Sequence, residues 1–463
     1  MTGHPSHSMP PNVEDLPPYA QLYSPEFHAD PEAAWQRLRE GGRVAWVALQ
    51  PGVLTLLVLD HNLIVSFSRD TTRWTRKTTR WNGWGLVDNS EIAAMISEWR
   101  NMLFAEGPEH ERLRAPVVAA LKEVDMDQLR VHVEQAAMDL IGRFAPYGRA
   151  DLVAEFAVPL PLIVMSRLFG LDEMDRLRLP DIMRRIWDAD DDAGRAADDL
   201  VRLMDATVRR HQQGLGHGPL TKALVERPGG LSHDELAGTL VLMVGAGSQP
   251  AANLIANTVA ELLADPQLHA DVMSAAVPVA DAVHHTLWAR PPITHYPPLV
   301  ARCDLTVDSV FVPQGTLALL GLGPAGHQIH QAHGRPLHSN RGYVAFGVGP
   351  HQCPASLHAL VIAQTAVTTL VRELPDLRLA VQHDKLAWRP SPFARALHRL
   401  DVKFTPRPFP SPRPEGTRPS WQHPQTVGHS QSAPTSTAPS PPNSSSGGRW
   451  FLWPFRGTSQ RGR

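Results

Sequence analysis

Cys353 stands in Phe346-Gly-Val-Gly-Pro-His-Gln-Cys-Pro-Ala355, a segment whose residue types can present one thiolate to a metal. Gly347 and Gly349 permit backbone conformations that a Cβ forbids, so the chain can turn tightly beside a flat cofactor. From Ser356 to Leu374 the apolar residues Leu357, Leu360, Val361, Ala363, Ala366 and Leu370 recur with helical spacing, which places Cys353 at a helix N-terminus. Unpaired N–H groups and the positive dipole end there favour thiolate over thiol. A buried structural cysteine is the plainer alternative for a lone Cys. The aromatic residue, the two glycines and His351 at these spacings argue for the metal ligand.

Two further stretches carry chemistry. In Phe104-Ala-Glu-Gly-Pro-Glu-His-Glu-Arg-Leu-Arg114, His110 and Arg114 are four apart and share one side of a helix that begins after Gly107-Pro108. Donors at that spacing can grip carboxylates, although such a pair in isolation is usually a solvated helix face. Ser232 with Glu235 forms a capping box, and the apolar run that follows continues to Ala264. About 30 helical residues span roughly 45 Å, enough to cross a domain. In the middle lies Val244-Gly-Ala-Gly-Ser-Gln-Pro250, where the small residues Ala246 and Gly247 would let a flat macrocycle approach; a kinked core helix is the alternative.

The cysteine segment resembles the ligand loop of the cytochrome P450 family, Phe-Gly-x-Gly-x-His-x-Cys-x-Gly. It matches at Phe346, Gly347, Gly349, His351 and Cys353 and departs at Ala355. The resemblance runs along about the first 405 residues in the order typical of soluble bacterial members. It implies a mainly α domain with small β-sheets, a haem b held between a long distal helix and the cysteine loop, and oxidative chemistry. By the same resemblance Cys353 is the axial iron ligand, His110 and Arg114 are the His-x-x-x-Arg propionate motif, His351 is a third propionate contact, and Ser232 to Ala264 is the distal helix.

The departures bear on activity. Where the family carries an acid and an alcohol that help deliver protons on the oxygen side of the haem, this chain has Gln249 and Pro250. An amide has no useful pKa near neutrality, and proline lacks even a backbone N–H. Ser248 is the nearby protein hydroxyl, so Ser248 and Gln249 are the candidate oxygen-side residues. Pro250 also leaves the Ala246 carbonyl without its helical donor, which predicts a kink. The family's Glu-x-x-Arg pair falls on His285 and Trp288; loss of both partners is compatible with folding, and Trp288 can donate one indole N–H. Arg290 is too far along to restore that register. Leu299 occupies a usual propionate-arginine position, which leaves Arg302 or His295 as substitutes. Pro354 removes one N–H normally aimed at the sulfur. Together these departures resemble an actinobacterial subgroup lacking the Glu-x-x-Arg motif.

The chain of 463 residues has a formal net charge of −2 and only two cysteines, Cys303 and Cys353. That excludes a disulfide framework and gives no sign of nucleic-acid binding. It carries no apolar run of 18 residues, and its start is polar and Pro-rich, so a cytoplasmic location is expected. The expected organisation is a flexible leader over 1–19, a haem-thiolate domain over 20–404 and a disordered Pro/Ser-rich tail over 405–463. Asp30 to Gly41 reads as a helix and Arg43 to Asp60 as a hairpin turning at Gln50-Pro-Gly52. Thr71 to Asn89 reads as a loop whose Trp74, Trp81 and Trp84 either line a substrate pocket or pack in the core. The tail ends in Arg449-Trp-Phe-Leu-Trp-Pro-Phe-Arg456, which suits a membrane surface, a partner groove or no contact at all. The acidic run Asp188 to Asp192 reads as an exposed turn.

Two functions follow from the resemblance. One is a monooxygenase that oxidises a small lipophilic molecule with electrons from a ferredoxin and ferredoxin reductase. The other is a haem-binding sensor with little or no turnover.

Overall fold

The helix expected from Ser232 runs from His233 to Ala264, 32 residues, with both halves of its capping box in place. At 1.5 Å per residue it is about 48 Å long. It runs through Pro250 without a break. Ala251, Ala252, Leu254 and Ile255 are all buried on the next turns. The structure, a computed structural model, describes residues 9–87, 91–98, 101–187, 193–227, 230–333 and 340–408. The acidic run at 188–192 and the aromatic tail segment at 449–456 lie outside the described residues.

Helices make up most of the domain. The 18-residue helix Ser356–Glu373 packs against Met126–Phe144 on one side and against His233–Ala264 on the other. Val, Leu and Ala side chains from all three meet in the largest buried apolar core. Val279–Ala289 packs on His233–Ala264 and on Leu322–His333.

The sheets are small. Five strands lie in the spatial order Val44–Gln50, Val53–Val58, Leu317–Gly321, His295–Ala301, Trp74–Thr75. The first two form the expected hairpin, in register from Val44 opposite Val58 to Ala48 opposite Leu54, with an irregularity before Gln50 pairs with Val53. Gly52 makes its turn with φ of 77°, a value that favours glycine. The last two pair antiparallel, Trp74 with Ala301 and Thr75 with Val300.

Residues near both ends of the described range make specific contacts. Residues 13–19, assigned to the flexible leader, form two short 3₁₀ turns, and Tyr19 lies 5.4 Å from the Arg37 guanidinium. At the other end Phe404 is buried against Phe144, and Thr405 donates to Asp376 from both its backbone and its hydroxyl. Order there comes from the three-stranded sheet of Arg149–Asp151, Asp401–Lys403 and Arg378–Leu379, which composition alone does not announce.

The tryptophan stretch is packed rather than loose. Trp74 stacks on Phe67 at 4.4 Å, and Trp81 is buried edge-on to Trp84 at 5.5 Å. Trp84 donates its indole N–H to the Thr78 carbonyl. Trp81 and Trp84 therefore belong to the core beside the hairpin.

Candidate active site

The cysteine loop has the geometry its glycines predict. Gly347 and Gly349 have φ of 67° and 74°, and Cys353 N–H closes the loop on the Phe346 carbonyl at 2.8 Å. A Cβ at Gly349 would come within 3.1 Å of the Ser68 carbonyl, so the loop also needs glycine for close approach. Phe346 packs on the apolar core beneath. The free thiol departs from expectation. Burial pushes Cys353 above the ordinary thiol range, and the Ala355 N–H and the Arg114 charge recover only part of that shift. A dipole argument omits this desolvation. A metal at the sulfur would displace that proton and supply the charge that holds a thiolate.

The structure brings His110, Arg114 and His351 together. The two imidazoles lie 3.9 Å apart, and Arg114 Nη2 donates to the Gln352 carbonyl at 2.5 Å. All line a cavity of about 670 Å³, together with Leu299, Trp74 and Arg76. His110 is buried, and among the described residues its Nε2 has no hydrogen-bond partner. Burial first, and then the neighbouring cations, holds both histidines below their usual range; His351 falls to about 2. Neutral imidazoles, Arg76, Arg114 and Lys122 thus line this space together with the carboxylates of Asp70, Glu106 and Glu111.

Arg76 was not recognised from sequence. The one signal was its place among the Arg and Lys residues between the tryptophans. Neither substitute offered for Leu299 serves. Arg302 pairs with Glu106 at 2.7 Å and donates to the Trp74 carbonyl. His295 is buried, with Nε2 accepting from the Trp35 indole at 3.0 Å and Nδ1 donating to the Pro392 carbonyl at 2.6 Å.

The remaining candidates lie on the long helix His233–Ala264. Beyond its first turn, the only exposed residues of His233–Ala264 are Gly245 and Ala246. Ala246 is therefore available to a macrocycle. Gly247 is partly exposed, and an added Cβ would meet the mobile end of the Met165 side chain, Cε, at 2.3 Å. Ser248 is fully buried, and its hydroxyl donates to the Val244 carbonyl one turn back. Gln249 and Pro250 are half-buried.

Behind the loop, Trp288 is buried and donates its indole N–H to the Asn340 carbonyl at 3.0 Å, as expected. His285 packs edge-on to His330. Arg290 reaches Glu261 of the distal helix at 2.6 Å and Glu32 at 3.2 Å. A charge cluster therefore exists, moved off the family's positions.

No family model matches the chain. It is 31% identical over 311 residues to Cytochrome P450 107B1 of Saccharopolyspora erythraea, covering 65% of this chain and 77% of that one. The chain belongs to the cytochrome P450 family. The 2-hydroxy-5-methyl-1-naphthoate 7-hydroxylase of Streptomyces carzinostaticus is 29% identical over 392 residues, 78% of this chain and 93% of that protein. Among solved structures, CYP154C4 from Streptomyces sp. ATCC 11861 superposes with a TM-score of 0.74 at 28% identity, covering 80% of this chain and 95% of that one. As a cytochrome P450, the protein is a haem b oxidoreductase of the monooxygenase class.

The residues present fit that cofactor. The glycine-turned cysteine loop, the exposed Ala246 of the long helix, the His110 Nε2 without a partner among the described residues, the buried Arg76 and the half-buried Arg114 all agree with a thiolate-ligated macrocycle bearing two carboxylates.

Proposed function

We propose that this P450 oxidises a small lipophilic substrate in the cytoplasm with electrons from a ferredoxin and its reductase. Cys353 is the axial ligand in this reading, and His110, Arg114 and His351 hold the propionates. The observation that carries it is the convergence of these last three on one cavity beside the cysteine loop. When bound, the haem supplies oxygen activation and transfer, with electron density pushed toward it by the thiolate. Gly347 and Gly349 turn the backbone so that the loop can approach the ring. Ala246 leaves room on the opposite face. The lipophilic substrate is supported by a relative named for hydroxylating a methylnaphthoate.

Proton delivery is the unusual step. Ser248 holds its hydroxyl proton on the Val244 carbonyl, and Gln249 cannot titrate near neutrality. Water or a substrate hydroxyl must therefore carry the proton past these residues. The test is turnover of a panel of lipophilic compounds with ferredoxin and ferredoxin reductase, or with peroxide. An oxygenated product that disappears in Cys353→Ser supports the proposal. Haem binding without product, with activity appearing only in Gln249→Glu/Pro250→Thr, would mark the protein as a sensor.

A further inference from the structure

Arg76 is a buried cation of the cavity to which no role has yet been given. It is 8% exposed, and among the described residues its guanidinium has no hydrogen-bond partner. Arginine left so is costly unless an anion meets it. The nearest acid, Glu106, is already occupied. It accepts from the Thr75 hydroxyl at 2.9 Å, from the Arg76 backbone N–H at 2.7 Å and from Arg302 at 2.7 Å. Arg302 thus balances Glu106, and the charge of Arg76 is left over. The half-buried Arg114 bonds the neutral Gln352 carbonyl.

Register explains why this arginine is here. Trp74 pairs with Ala301 and Thr75 with Val300, so continuing the antiparallel ladder by one residue sets Arg76 opposite Leu299. Both line the cavity with His110, Arg114 and His351. Leucine holds the position where the family carries a propionate-binding arginine, and the cross-strand neighbour carries a guanidinium instead. We infer that Arg76 clamps one haem propionate, the cation having moved one strand across the sheet. The inference rests on the haem-thiolate reading.

Haem release from the holoprotein into excess apomyoglobin tests it, using native haem and haem dimethyl ester. Arg76→Ala should speed release of native haem about tenfold or more, the scale of a lost charge-assisted hydrogen bond. Release of the diester should change by less than about twofold, because the ester offers no charge to clamp. Arg76→Lys should fall between, and adding Leu299→Arg to Arg76→Ala should restore retention. Should Arg76→Ala not fold, the exchange Arg76→Leu/Leu299→Arg carries the same comparison: retention near that of the unaltered protein supports the clamp, and fast release of native haem opposes it. Equal acceleration of both haem forms, or none, overturns the assignment. A thiolate-type carbon monoxide spectrum in the unaltered protein would show that the haem-thiolate reading survives that failure.

Discussion

The Cys353 sulfur faces the Ala355 N–H but receives nothing from residue 354, because proline has no N–H to give. Each donor removed leaves a thiolate richer in electrons and lowers the potential of the metal it binds. Pro354→Ala should therefore raise the haem reduction potential in a spectroelectrochemical titration. A fall, or no shift, would remove Pro354 from the account. A single residue also corrects an expected role on the distal helix. Ser248 spends its hydroxyl on its own helix. A Ser248→Ala protein should accordingly turn over at an unchanged rate, and a large drop would show that the hydroxyl reaches the substrate side.

At the scale of elements, the buried charge cluster is the feature sequence motifs misplace. Arg290 joins the end of Val279–Ala289 to Glu261 on the distal helix and to Glu32 near the N-terminus. Burial alone would raise Glu261, but His383 and Arg290 together hold its carboxyl below the usual range. Removing one partner strands the other. Arg290→Met should cost about 1–3 kcal/mol in urea unfolding, and Arg290→Met with Glu261→Gln should cost clearly less. Equal losses would mean that the pair is not coupled. Helices, the capping box and the hairpin were legible because periodicity and turn residues are local signals. The cluster was not, because its three members are brought together from positions 32, 261 and 290 by packing. Arg76 was hidden for the same reason, since its place opposite Leu299 exists only in the register of two distant strands.

For the whole molecule, acid is a predictable weakness. His295 lies in the interior, and burial takes it from its ordinary 6.5 to about 4. Its Nε2 accepts from the Trp35 indole, which can only donate, so a second ring proton would face another N–H. Above pH 6.5 neither folded nor unfolded chain protonates this ring, and stability is unaffected. As pH falls from 6.5 toward 4, only the unfolded chain takes the proton, and up to about 3 kcal/mol of stability is lost. His295→Gln should flatten that part of the Tm profile; an unchanged slope would assign the loss elsewhere. The fold itself was readable through the family resemblance, whereas the oxygen side was readable only as a set of departures. All of it depends on one bond from Cys353 to a haem iron. The reduced holoprotein under carbon monoxide measures that bond: the account predicts the red-shifted Soret band of a thiolate-ligated haem, lost in Cys353→Ser. A band at the position given by a neutral ligand, or a protein that takes up no haem, would contradict it.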